Sequence, residues 1–163
     1  MKTILIGIGN PIVGDDAIGI KVVEELNNNY QFPSLVDIVP DVSVGGLPLV
    51  ELMIGYDRAI VVDAIETGSH PPGTIVQFEP DLSKSSVYIS DYHNLDFLSA
   101  LSFAKQFYGN IPKQITIIGV EIRGKLEFSD KLSPTLQAQF PQIVQKIYQI
   151  IVNQLTEECE ANF

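Results

Sequence analysis

Asp16, Asp63 and His93 carry the residue types for metal-assisted chemistry. Asp16 follows a glycine-bounded turn, GIGNPIVGDDAIG, from Gly7 to Gly19. Asp63 ends the apolar run AIVVDA, and His93 lies in SDYHN, just ahead of an amphipathic stretch. Two carboxylates and one imidazole suit a first-row divalent ion such as Zn, Ni or Mn better than a thiolate-seeking metal, and leave coordination positions open. Each residue also has a plainer reading. Acids in a first helical turn stabilise it by capping and by the helix dipole, and Asp15 is the expected cap. A buried Asp63 needs a partner, which Arg58, a lysine or a backbone N–H could supply. His93 could cap a helix or face solvent, and His70, in GSHPPG, reads as an exposed turn.

Other catalytic sets are missing. There is no G-x-S-x-G elbow, the single cysteine (Cys159) lies in the polar tail TEECEANF, and H-E-x-x-H does not occur. Gly7, Gly9 and Gly14 do not form G-x-G-x-x-G, and no Gly-Lys-Ser/Thr follows them. A nucleotide-binding α/β enzyme is therefore a weak rival, since a pyrophosphate at this turn would meet Asp15 and Asp16.

The elements that must position these residues alternate. Thr3 to Ile8 is a short apolar run expected as a strand buried on both faces. Asp15 to Asn28 reads as a helix with Ile18, Val22, Val23 and Leu26 on one face. A strand from Leu35 to Val39, a loop at Gly45, Gly46 and Pro48, and a short helix from Leu49 to Ile54 follow. Ala59 to Val62 is the next buried strand, and Thr74 to Phe78 reads as a strand at an edge. A helix from Leu95 to Phe107 and a strand from Ile115 to Val120 come next. The last helix runs from Pro134 to about Leu155, with Ser133 as its cap and Pro134 in its first position. Pro141 either kinks this helix or marks its true start. The class is α/β: a single domain with a twisted, mostly parallel β-sheet flanked by helices on both faces. In such sheets ligands gather outside the carboxyl ends of the strands, where Asp16 and Asp63 both fall.

Composition narrows the partners. The chain has 163 residues, 45% of them apolar, enough for one full core. Residues 1–155 are expected to form the domain and 156–163 a disordered tail. The formal net charge of −10 argues against a nucleic-acid partner. No run approaches the roughly 18 apolar residues of a membrane span, and MKTILIGIGN lacks the roughly 7–15 apolar residues of a secretory signal. A cytoplasmic protein, monomeric and without nucleic-acid or membrane partners, is the expectation, and one lone cysteine fits a reducing compartment.

GIGNPIVGDDAIGIKVVEEL resembles the opening of the nickel–iron (NiFe) hydrogenase maturation endopeptidases. IVVDAIETGSHPPGTI, DYHNLDFLSAL and ITIIGVEI agree with that family in order and spacing. The likeness runs from Lys2 to the C-terminal helix. It implies a twisted sheet flanked by helices and an endopeptidase that trims a C-terminal peptide from the nickel-loaded hydrogenase large-subunit precursor. It also implies that Asp16, Asp63 and His93 are both the catalytic and the metal-contacting residues. Nickel would arrive with the precursor, other divalent ions such as Zn or Cd being able to substitute, and a carboxylate-assisted or metal-activated water would attack the scissile carbonyl. The family often carries an Asp-Gly-Gly-Thr-like stretch after the second strand. Here the equivalent reads PDVSVGGL, with Asp41 retained and the glycines shifted to Gly45 and Gly46. These three are the expected substrate-binding residues. A non-catalytic nickel- or precursor-binding chaperone on the same fold is the alternative.

Overall fold

The structure, a computed structural model, describes residues 1–81, 91–124 and 127–160, and at 91–96 and 157–160 the backbone alone. Five strands, β1 (Thr3–Ile8), β2 (Val36–Val42), β3 (Arg58–Ile65), β4 (Ile75–Phe78) and β5 (Gln114–Glu121), form one sheet in the order β2-β1-β3-β5-β4. The pairs β1–β2, β1–β3 and β3–β5 are parallel, and β4 closes one edge antiparallel to β5. Among the described residues four α-helices cover the sheet: α1 (Ile18–Asn29), α2 (Gly46–Leu52), α3 (Asp91–Phe107) and α4 (Pro134–Glu160).

The period-2 alternation of the strands sorts the core into two layers. Leu5, Ile60, Val62, Ile118 and Val120 face α1 and α4. Ile4, Ile6, Ala59, Val61 and Ile117 face α2 and α3. Every residue of β1 and β3 is buried, which is why both read as continuous apolar runs. On α1 the buried set Ile18, Val22, Val23 and Leu26 repeats at helical spacing, as does Ile143, Val144, Ile147 and Ile151 on α4. Each such side chain taken from water contributes about 1.5–3 kcal/mol before entropy is counted.

Several boundaries differ from the sequence reading for local reasons. The expected helix from Asp15 is divided into a 3-10 turn, Gly14–Ala17, followed by α1. The short helix α2 begins at Gly46 rather than Leu49, because Pro48 sits in a first turn, where its missing N–H costs nothing. β2 continues past Val39 to Val42 and takes Asp41 into the sheet. α3 starts at Asp91, so His93 lies in its first turn instead of a preceding loop. Pro141 is interior to α4, so the helix start belongs to Ser133 and Pro134, and the helix continues past Leu155 to Glu160. Ser133 Oγ accepts from Leu136 N at 3.4 Å, a long capping bond.

Chain order fixes where a ligand can enter. From β1 the chain moves outward to β2 and then crosses back to β3 on β1's other side. The β1–β3 junction is thus a topological switch point, with an open crevice at its carboxyl end.

Candidate functional site

The two acids sit at that switch point: Asp16 in the 3-10 turn after β1, and Asp63 near the carboxyl end of β3. Two close approaches hold the turn there. A Cβ on Gly19 would strike the carbonyl oxygens of Val62 and Ile8, so only glycine lets α1 rest on the ends of β1 and β3. A Cβ on Gly9 would strike the carbonyl of Asp16, and Gly9 has a φ of 156° besides. The glycines of GIGN therefore position an acid rather than a phosphate. Asn10 N then donates to Asp16 Oδ2 at 3.0 Å, fixing the carboxylate over the loop.

Asp63 is 6% exposed and accepts from its neighbour Ala64 N at 2.8 Å. Burial first, then repulsion from the Asp16 carboxylate, push the Asp63 carboxyl up to about 8 against the pull of the Ala64 N–H. That repulsion puts the two acids within electrostatic reach of each other. The guanidinium of Arg58 is engaged elsewhere, by Gln114 Oε1 at 3.0 and 2.9 Å and the Gln154 carbonyl at 2.9 Å. Of the ordinary partners expected for Asp63, the backbone N–H is the one found. Beside Asp63 lies a cavity of 20 Å³ whose other walls include Ile8, Gly45, Leu49, Val61 and Phe97. It is large enough for one water by the threshold of roughly 10–15 Å³.

Asp15 does not cap its own helix. Its Oδ1 accepts from Ser133 N at 2.7 Å, tying the first turn of α4 to the 3-10 turn, and neither the turn nor α1 has a side-chain cap. The acid expected as a local cap is a long-range tether instead, its Oδ1 taken by the first turn of α4. His93 has a helical backbone, and its side chain lies outside the described residues. Among the described residues no group of three His, Cys, Asp or Glu gathers to hold a metal. Two mutually repelling carboxylates fit a shared divalent cation, since a positive charge between them would relieve the repulsion that raises Asp63. His70 is exposed, as expected.

Of the three residues expected to meet substrate, Gly45 joins the site through the Asp63 cavity and, with an extended backbone, precedes α2. Gly46 opens α2 and is buried. Asp41 lies on β2 with an exposed side chain and does not line that cavity. The sequence reading missed a second buried acid, Glu121, which is 1% exposed at the end of β5. Its Oε1 accepts from Thr67 N at 2.8 Å and Gly68 N at 2.9 Å, and its Oε2 from the Thr67 hydroxyl at 2.8 Å. The acid closing the apolar run ITIIGV was the available signal.

Known proteins share this fold. A family model described as hydrogenase maturation protease (HycI) matches residues 20–150, a stretch that includes Asp63 and His93 and begins just after Asp16. The hydrogenase 2 maturation protease of Escherichia coli (strain K12) is 32% identical over 151 residues, spanning 90% of this chain and 88% of its own. The structure of the hydrogenase maturating endopeptidase HybD from E. coli superposes with a TM-score of 0.77 at 31% identity, covering 94% of each chain. A solution structure of an endopeptidase from Escherichia coli gives a TM-score of 0.73 at 30% identity over 90% of each chain. With the glycine-held acid pair at the switch point of the same fold, the chain belongs to the hydrogenase maturation protease family and is an endopeptidase.

Proposed function

We propose that the enzyme removes a C-terminal peptide from the nickel-loaded large-subunit precursor of a nickel–iron hydrogenase. The observation that carries this reading is the acid pair: Asp63 buried at the end of β3 and raised by Asp16, in an endopeptidase with no serine or cysteine nucleophile motif. Nickel is then part of the substrate rather than a resident cofactor. Asp16 and Asp63 meet the cation that the precursor presents, with His93 as the third contact. A precursor without nickel gives the two carboxylates nothing to bind, so its tail is not held in place. Zn or Cd in the same seat would satisfy the same donors.

Hydrolysis needs a water, a base and a held carbonyl. The Asp63 cavity has room for one water; a carboxylate of the pair accepts its proton as it attacks the scissile carbonyl and returns that proton to the departing amine as the C–N bond breaks. Gly45 edges the same cavity, and Asp41, Gly45 and Gly46 contact the precursor beside it. The cognate hydrogenase is a cytoplasmic partner in this reading, and the enzyme acts as a monomer.

The test is intact mass spectrometry of a nickel-loaded large-subunit precursor, with and without the protein. A discrete loss of a C-terminal peptide, absent with nickel-free precursor, is the expected result. Binding without peptide loss would replace the reading with that of a chaperone.

A further inference from the structure

Three large apolar side chains stand exposed on loops leaving the carboxyl ends of the parallel strands: Phe128 at 88%, Ile12 at 58% and Val44 at 48%. Exposure on a loose loop would mean little, but the first two are held by backbone pairing. Val13 and Ser129 form a parallel bridge, with Ser129 N donating to the Ile12 carbonyl at 2.9 Å and Gly14 N to the Ser129 carbonyl at 2.8 Å. That register sets Ile12 beside Phe128, although they are far apart in sequence. Around the bridge, Lys131 N donates to Ser129 Oγ at 3.1 Å and Ser133 N to Asp15 Oδ1 at 2.7 Å.

The platform is also wired to the acid pair. Ile12 N donates to Asn10 Oδ1 at 3.2 Å, and Asn10 N donates to Asp16 Oδ2 at 3.0 Å. One short loop therefore carries the platform at one end and sets the Asp16 carboxylate at the other. Val44 immediately precedes Gly45, which lines the Asp63 cavity. The acids thus have apolar side chains on the loops after β1, β2 and β5.

We propose that Ile12 and Phe128, with Val44 on the β2–α2 loop, form the docking platform that grips apolar side chains of the substrate polypeptide next to its scissile segment. The inference rests on the proposed function and adds the surface by which the precursor is held. An endopeptidase must lay a polypeptide across its reacting groups, and this platform is continuous with them. A second copy of this chain is a poor occupant, because it would bring another net charge of −10 and the same acids, Asp15, Asp16, Glu127 and Asp130, against this rim. The backbone that carries these side chains is already fixed by the bridge and loses little further freedom on binding, which favours their use as anchors.

The experiment separates docking from cleavage. The probe is the nickel-loaded precursor of the E. coli hydrogenase 2 large subunit, and binding is measured by titration calorimetry on Asp63→Asn protein, in which the tail stays uncut. Adding Ile12→Ser and Phe128→Ser together is expected to weaken binding about tenfold or more, from the lost apolar burial. Val44→Ser is expected to weaken it about threefold. Phe107→Ser, at an aromatic 64% exposed on α3 away from the strand carboxyl ends, leaves binding unchanged. With Asp63 intact, the Ile12/Phe128 double variant should raise KM with little change in kcat. Melting curves of these surface variants should match their parents. Binding within twofold of the parent, or, where the Asp63→Asn parent does not bind, an unchanged KM for the double variant with Asp63 intact, overturns the platform. Weakened binding together with a wild type that never cleaves keeps the platform and removes the proposed function instead.

Discussion

Asp63 and Glu121 lie near the carboxyl ends of adjacent strands, on the same face of the sheet, and both are buried. The fold treats them in opposite ways. Glu121 receives three hydrogen bonds from the Thr67–Gly68 turn, so its charge is met on both oxygens. Asp63 receives a bond from Ala64 N and faces a second acid, and its carboxyl is pushed up to about 8. A buried charge that is fully bonded holds structure together, whereas one left short of donors and set against a like charge costs stability. Such strain persists where it serves chemistry. The contrast fits the proposed function, in which Asp63 is the reacting group, and leaves Glu121 as the strut of the neighbouring loop.

The largest expected effect tests the reacting half. Asp63→Asn keeps the shape and the oxygen that accepts from Ala64 N but cannot bind a proton or share a cation as a carboxylate does. Peptide release from nickel-loaded precursor should fall by about 10²–10⁴-fold, and Asp16→Asn should act similarly. Rates are read by intact mass. If both variants cleaved at wild-type rates, the acid pair would be structural and the contrast with Glu121 would collapse.

Stability should move the other way, and pH shows by how much. Asp63 has a folded pKa of about 8 against 3.8 for the free side chain. Between those values the folded protein keeps a proton that the unfolded chain has released. The stability tied to that proton is fully present below about 3.8, declines as pH rises, and is gone above about 8. Asp63→Asn has no such proton to lose. The variant should therefore gain on the wild type from acid pH to about pH 8 and level off beyond, by up to about 6 kcal/mol in all. Urea denaturation at a series of pH values measures the gap. A gap that stayed flat with pH would mean Asp63 carries no such strain.

The legibility of these features follows their range along the chain. β1, β3 and β5 were readable because central parallel strands bury both faces and leave unbroken apolar runs. Asp16 and Asp63 were readable because chain order alone puts them at strand ends. Glu121 closes an apolar run too, but its part as a strut was not readable, since its donors lie more than fifty residues away on the Thr67–Gly68 turn and local sequence carries no trace of that pairing. The same holds for Asp15, whose partner is Ser133, and for Ile12 and Phe128, which a bridge between Val13 and Ser129 brings together. Pro48 misled in the reverse direction: a residue that usually breaks helices is tolerated in the first turn of one.

Glu121→Gln tests the structural half at a smaller scale. The amide keeps one accepting oxygen but loses the charge and turns a donor toward the Thr67 hydroxyl, which already accepts from Ser69 N at 3.1 Å. A loss of about 1–3 kcal/mol is expected, with cleavage retained at temperatures well below melting. Loss of cleavage at those temperatures, beyond what the lost stability explains, would make Glu121 a second reacting acid.

The smallest effect is the most discriminating. Thr67→Val preserves the volume of the side chain and removes the hydroxyl that donates to Glu121 Oε2 at 2.8 Å and accepts from the exposed Ser69 N at 3.1 Å. The two backbone donors to Oε1 remain, so the carboxylate stays partly met and the cost should be about 1 kcal/mol. In a domain of this size that is a fall of roughly 2–4 °C in melting temperature. Because the strut acts only through stability, cleavage at low temperature should not change. If Thr67→Val slowed cleavage while melting normally, the Thr67–Gly68 turn would have to reach the substrate itself. The division of labour between the two buried acids would then have to be redrawn around a site that spans both strands.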